Sequence, residues 1–178
     1  MNIIDKIISS YSNNKSLYIG EKVTMTEHMI QTAMLAEKAK CSSNLICSSL
    51  LNDYGHFILE YPDVLVNEMK NGKHEEVGFN FLKKYFIKEV LGPIKYHVKA
   101  NRNLARNVKF FRLLSKASKV SLKLQGGIMN KSEAKQFEKN EFFEEAVKLR
   151  KFDEEAKKFG LKIKGINEYK NLLISKLI

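Results

Sequence analysis

Four histidines, His28, His56, His74 and His97, all lie in the first hundred residues, and the lysine-rich last third has none. Each sits on or beside a stretch whose spacing turns it toward an apolar helix face. Asp53 and Asp153 supply carboxylates at two well-separated places. Imidazole and carboxylate from separate helices are what a helical bundle uses to build a metal site in its core. Borderline divalent metals, iron among them, accept that mixture of nitrogen and oxygen donors. One histidine on an apolar face is more often a packing residue than a ligand. Four at these places, with two aspartates at hand, leave metal binding and plain packing both open. The centre of the pattern is Asn52-Asp53-Tyr54-Gly55-His56, delivered by the small-residue stretch Cys47-Ser48-Ser49-Leu50-Leu51.

The elements that must carry these residues are legible as apolar periodicity. Ile3, Ile4, Ile7, Ile8 and Tyr11 predict an amphipathic helix over 2–11, broken by polar residues 12–15. Tyr18-Ile19-Gly20-Glu21 reads as a short loop. Thr24-x-x-Glu27 then forms a capping box that opens a helix from Met25 to about Lys40. Met25, His28, Met29, Thr32 and Ala36 share its inner face. The next helix runs from about Ser43 to Asp53, and residues 54–72 read mostly as loop, with Pro62 limiting any helix. His74 begins a helix with a Val77, Phe81, Tyr85 stripe. Gly92-Pro93 marks a boundary, with Pro93 in a first helical turn ahead of Tyr96, His97 and Val98.

A helix over 110–124 ends at Gln125-Gly126-Gly127. Asn130-x-x-Glu133 caps a short helix to Lys139. A longer one from Glu141 to Phe159, stopped by Gly160, puts Arg150 and Asp153 on one face at i, i+3. Asn167 caps a last helix through Leu172, Leu173 and Leu177. Strand-like alternation is nearly absent, so the expected fold is all-α, a single helical-bundle domain over 1–178, long enough to bury a core without cross-links.

Cys41 and Cys47 make neither a disulfide framework nor a zinc set. The N-terminus lacks the continuous apolar run of a signal peptide, and no segment approaches membrane-spanning length. A cytoplasmic protein is expected. The net charge of +11 raises nucleic acid as a partner. Lysine supplies most of it, from Lys6 to Lys176, with acidic residues interleaved, and no reading-helix motif or aromatic-basic stripe stands out. A solvated lysine-rich surface is expected, with neither nucleic acid nor a membrane as partner.

Several segments occur in the order of a known family. They are Tyr18-Ile19-Gly20-Glu21, Glu27-His28-x-x-Gln31-x-Ala33, Asp53-Tyr54-Gly55-His56, His74-Glu75 and Pro93-Ile94-x-x-His97-Val98-x-Ala100. Leu114-Ser115-x-Ala117-Ser118, Ser121-Leu122-x-Leu124-Gln125-Gly126-Gly127 and Leu149-Arg150-x-x-Asp153-x-x-Ala156-Lys157 complete the set. From about Tyr18 to the end, the chain resembles the HD-domain oxygenases of phosphonate breakdown. The resemblance implies a non-haem site of two iron ions (Fe2+/Fe3+) in a helical HD domain. His28, Asn52, Asp53 and Asp153 would hold the first iron, and His74 and His97 the second, with Asp53 bridging. Tyr18 would ligate iron before substrate arrives, and Glu21 would recognise the substrate's amine end. Arg150, Ser118 and Gln125 would line the substrate pocket, and His56 would orient a ligand or a water.

Two positions depart from that pattern. Asn52 stands where the family has the HD histidine, offering a neutral and weaker donor than imidazole. Asn101 stands where the family carries a lysine that contacts the phosphonate, a charged hydrogen bond worth about 1.5–3 kcal/mol. Lys99 and Arg102 flank it, but a one-residue offset on a helix points about 100° away. The resemblance implies an oxygenase that uses molecular oxygen to break the C–P bond of a small hydroxyphosphonate, with altered metal and substrate contacts. A metal-dependent phosphohydrolase acting on a phosphate ester and a non-catalytic HD binding protein are the alternatives.

Overall fold

A computed structural model of the chain describes residues 2–18, 20–59 and 73–178. Among them the backbone is helical, with no strand and two isolated bridges, Leu17 to Thr24 and Phe86 to Leu177. The all-α expectation holds. Helix α1 (Ile3–Asn13) starts where the Asn2 side chain accepts the Asp5 N–H at 2.9 Å, and it buries Ile4, Ile7 and Tyr11. Helix α2 (Met25–Lys38) opens on the predicted capping box: Glu27 N–H donates to Thr24 Oγ1 at 3.1 Å, and Thr24 N–H to Glu27 Oε2 at 2.7 Å. Helix α3 (Ser43–Leu51) is capped by Ser42 and runs directly into a 3-10 turn over Tyr54–Phe57.

Beyond it come α4 (His74–Leu82), α5 (Lys88–Leu104), α6 (Val108–Leu113), α7 (Lys116–Leu124), α8 (Lys131–Phe137) and α9 (Phe143–Glu155). A 3-10 turn (Ile166–Tyr169) leads into α10 (Lys170–Ile174). Helix α9 packs on α5 and α2, α3 packs on α2 and α5, and α4 packs on α5 and the Tyr54–Phe57 turn. Ile7, Met29, Leu50, Leu51, Leu82 and Ile94 are fully buried at the centre, each contributing about 1.5–3 kcal/mol. The Tyr11 hydroxyl donates to the Leu50 carbonyl, which fixes the end of α3 immediately before Asn52.

Several boundaries differ from the sequence expectation, each for a packing reason. Gly92-Pro93 is no boundary: α5 begins at Lys88 and carries Pro93 in its second turn. The buried Val90, Leu91, Ile94 and Val98 hold this helix together, and the lost N–H faces the carbonyl of the exposed Glu89. The buried stripe of α4 is Glu75, Gly78 and Leu82, with Val77, Phe81 and Tyr85 half-buried beside it. The helix expected over 110–124 is two helices, broken at Leu114-Ser115. Leu114 turns into a small core, and Ser115 Oγ accepts the Ser118 N–H at 3.1 Å to start α7. Helix α9 ends at Glu155, ahead of Gly160, whose φ of +72° marks the later turn. Asn167 lies inside the 3-10 turn and does not cap it; Gly165 N–H instead donates to Glu168 at 2.8 Å. The loop expected over 54–72 gives way to a 3-10 turn at its start, and its residues 60–72 lie outside the described residues. No helix among the described residues is long and apolar enough to cross a membrane.

Candidate metal centre

Five elements converge on one buried carboxylate. The first turns of α2 bring His28, the end of α3 brings Asn52 and Asp53, and the first residue of α4 is His74. The middle of α5 brings His97, and the last turn of α9 brings Asp153. His28 Nε2 lies 2.8 Å from Asp153 Oδ1 and 3.2 Å from Asp53 Oδ2. On the other side of Asp53, Oδ1 lies 3.2 Å from His74 Nε2 and 3.4 Å from His97 Nε2, and those two nitrogens are 3.0 Å apart. The result is two donor groups, His28/Asp53/Asp153 and Asp53/His74/His97, whose atoms within each group all lie within 4.8 Å of one another. Donors about 2.0–2.2 Å from a shared ion stand about 3 Å apart when adjacent, so both groups have ligand spacing.

The hydrogen bonding around the rings selects the same reading. His28 Nδ1 faces the Ala156 carbonyl at 2.8 Å, and His97 Nδ1 faces the Ile94 carbonyl at 2.7 Å. A carbonyl only accepts, so each Nδ1 carries a proton and each neutral ring aims an Nε2 lone pair inward, as second contacts of metal-bound histidines do. Lone pairs of nitrogen and carboxylate oxygen then meet in a dry core, which requires a cation between them. Asp53 Oδ2 and Asn52 Oδ1 are buried there with no hydrogen-bond donor. Without a metal, a proton serves: burial pulls the His28 pKa down, but Asp153 and Asp53 outweigh it and raise it to about 9. His97 is raised by Asp53 in the same way. Asp53 and Asp153 are held low against the opposing effect of burial, Asp53 by the histidines and Asp153 by Arg150 and His28. The donor set therefore fits a pair of metal ions, with Asp53 shared.

Asn52 lies within this cluster, fully buried. Its Nδ2 donates to Asp153 Oδ1 at 2.9 Å, so its side chain steadies one candidate ligand while its own oxygen is unpaired. Arg150 donates to the other oxygen of Asp153 and, at 2.7 Å, to Glu154. Glu154 also accepts the Ser118 hydroxyl at 2.8 Å. Tyr18 stacks on His28 with ring centres 3.9 Å apart, and burial with Asp153 and Asp53 nearby keeps its phenol protonated. His56 stacks on His74 at 4.2 Å; burial and the neighbouring histidines lower its pKa to about 3, and its Nδ1 has no partner.

Not every predicted residue joins the cluster. Asn101 is buried one turn beyond His97 with its Oδ1 unpaired, and Gln125 caps the end of α7 with its Oε1 unpaired. Neither makes a side-chain hydrogen bond to the cluster among the described residues. Arg102 is committed elsewhere, to the Gly126 and Gly127 carbonyls and to Glu133.

Sequence reasoning missed two contributors. Lys157 had a motif position but no role. Its Nζ is 2.7 Å from Ser118 Oγ, 3.0 Å from Glu154 and 3.4 Å from Glu21, and it lies over the Tyr18 ring. It ties Tyr18 and Glu21 to α7 and α9. Gly55 acts through a close backbone approach. A Cβ there would fall 1.9 Å from the His74 carbonyl oxygen and 2.9 Å from the Gly78 nitrogen, so its missing side chain is what lets α4 bring His74 to Asp53. A charged residue three or four positions after a candidate ligand, and a glycine beside it, were the available signals.

An all-helical bundle with two buried His/Asp groups around one shared carboxylate has the donor set of a metalloprotein. No protein-family model matches the chain. It is 40% identical over 154 residues to the hydroxymethylphosphonate dioxygenase of Gimesia maris, covering 85% of this chain and 77% of that protein. It is 39% identical over 142 residues to the [1-hydroxy-2-(trimethylamino)ethyl]phosphonate dioxygenase (glycine-betaine-forming) of Leisingera caerulea, covering 79% and 72%. An uncharacterized protein of Acanthamoeba polyphaga mimivirus is 33% identical over 178 residues, covering 98% and 81%. The chain belongs to the phosphonate dioxygenase family.

Proposed function

We propose that the protein is an HD-domain oxygenase that binds two iron ions and uses molecular oxygen to cleave the C–P bond of a small hydroxyphosphonate. The observation that carries this is the pair of His/Asp groups sharing Asp53. His28, Asp53 and Asp153 would hold one iron, and His74, His97 and Asp53 the other. Iron bound there would supply the oxygen activation and one-electron chemistry that the side chains lack. Asn52 takes the place of the HD histidine, and its amide hydrogen bond to Asp153 supports a first iron held more weakly than the second.

The remaining residues shape what reaches the metals. Arg150, buried against Asp153 and Glu154, and Lys157, half-buried against Glu154, are the cations that an anionic substrate would meet beside the cluster. Ser118 is a further candidate for substrate contact; its one hydroxyl proton goes to Glu154 and its oxygen accepts from Lys157, so donating to a phosphonate oxygen would require it to turn away from Glu154. Glu21 is within ion-pair distance of Lys157, and Tyr18 covers the outer face of His28, so these two form a cap over the first site. His56, held neutral by burial, packs flat on His74 and fixes its ring. Asn101 and Gln125 are further candidates for substrate contact, each with an unpaired carbonyl oxygen.

The experiment is to load the protein with ferrous iron under nitrogen, add hydroxymethylphosphonate, and measure phosphate before and after admitting oxygen. Release only with oxygen supports the proposal. Phosphate ester hydrolysis under nitrogen would make the protein a hydrolase, and no release from either substrate class would make it a binding protein.

A further inference from the structure

Residues 90–132 contain ten lysines and arginines and no aspartate or glutamate, so this one stretch accounts for +10 of the net +11 and the rest of the chain is almost neutral. The charge is therefore concentrated, in contrast to the evenly spread coat expected from the whole chain. Two of these cations are neutralised, Arg102 by Glu133 at 2.7 Å and Arg106 by Glu138 at 3.8 Å. Lys109, Arg112, Lys116, Lys119 and Lys123 have no carboxylate partner among the described residues. They lie on α6 and α7, and Leu113, Val108 and Val120 stand out among them, 77%, 62% and 45% exposed. On α7, Lys116, Val120 and Lys123 follow at i, i+4 and i+7, one outward stripe. The inner sides of the two helices are anchored separately, with Phe110 and Phe111 packed against Leu114, Leu122 and Ala105.

We propose that the outer face of α6 and α7 docks on an anionic phospholipid surface, with Leu113, Val108 and Val120 entering the interface and the cations that lack a carboxylate partner holding the headgroups, Lys119 from over the Phe111 ring. Cations among projecting aliphatic side chains suit a peripheral membrane contact, where the apolar groups enter the acyl boundary and the charges meet anionic lipid. A nucleic acid would meet the same cations, but aliphatic side chains neither stack on bases nor hydrogen-bond to them. The same helix turns Ser118 inward to Glu154, so the docking face is the outer side of a wall of the candidate site.

The test is cosedimentation of the full chain with vesicles of phosphatidylcholine alone and of equimolar phosphatidylcholine and phosphatidylglycerol. Binding is expected only to the anionic vesicles, weakening as salt rises. Lys116→Gln and Lys123→Gln should each weaken it about fivefold. The double variant Val108→Ser, Leu113→Ser, at unchanged charge and on exposed positions, should weaken it further than either. No binding to anionic vesicles overturns the proposal. Vesicle binding untouched by the Val108→Ser, Leu113→Ser variant also overturns it, because the apolar insertion would then be absent. Tighter binding of a fluorescent oligonucleotide than of vesicles, sensitive to Lys116→Gln, would assign the face to nucleic acid instead.

Discussion

Replacing Gly55 by alanine perturbs the candidate metal centre without touching a ligand. The new Cβ would lie 1.9 Å from the His74 carbonyl oxygen, 2.7 Å from its carbon and 2.9 Å from the Gly78 nitrogen. All three are backbone atoms of α4, so no side-chain rotation relieves the contact and the helix must move as a unit. Overpacking a rigid site costs about 1–3 kcal/mol, and the backbone contact places this change near 3 kcal/mol. For a chain of this size that lowers the melting temperature by roughly 6–12 °C. The displacement also carries His74 away from Asp53, so metal held by His74, His97 and Asp53 should be lost while the His28 side is spared. Thermal denaturation and metal counting on the same preparations check both effects. Gly127→Ala is the control: its Cβ would meet nothing within 4 Å, and its cost comes only from a φ of +70°, about 1–2 kcal/mol. A Gly55→Ala protein that melts with the wild type and keeps its full metal content would refute the reasoning.

Other expectations follow from the buried charges. Arg150→Met takes the guanidinium from Asp153 and Glu154, leaving His28 beside the first and Lys157 beside the second, and should destabilise the protein by about 3 kcal/mol, the low end for breaking a buried pair, in denaturant titrations. Lys157→Met should release the Tyr18–Glu21 loop, raising amide exchange over 17–23 roughly tenfold or more, with Lys157→Arg restoring much of the protection. In the metal-free protein, His28 has its pKa raised from 6.5 to about 9, so the folded state holds a proton that the unfolded chain gives up. That stabilisation is whole below pH 6.5 and is lost as pH rises through 9; the difference in unfolding free energy between wild type and His28→Gln should shrink over this window. His56 runs the other way: with its pKa lowered to about 3, it makes the fold less stable as pH falls from 6.5 toward 3, and His56→Phe should flatten that slope.

Much of the site was legible because its residues are of rare types on periodic helices. His28 is inward because Met25, Met29 and Ala36 must be, and the Thr24-Glu27 capping box fixed where that helix starts. The helix around His97 was legible from its apolar face, but Pro93 was read as a boundary because local proline chemistry is visible in sequence and the burial of Val90 and Leu91 is not. The split of α6 from α7 depended on Leu114 finding a separate small core, a tertiary choice. The roles of Gly55 and Lys157 are not legible in the sequence for a related reason. One is needed for an approach between distant backbones, the other for an ion pair across three segments. The net charge of the whole chain does not reveal its concentration in residues 90–132.

The central claim is that two metal ions share Asp53. Purification under nitrogen, loading with excess ferrous iron and counting metal per chain tests it most directly, with Asp53→Asn as the comparison. The account predicts two ions per chain in the wild type, the more weakly held one on the Asn52 side, a coupled paramagnetic signal on partial oxidation, and loss of both ions in Asp53→Asn. A protein that takes up one ion or none, or that keeps two when Asp53 is replaced, would contradict it.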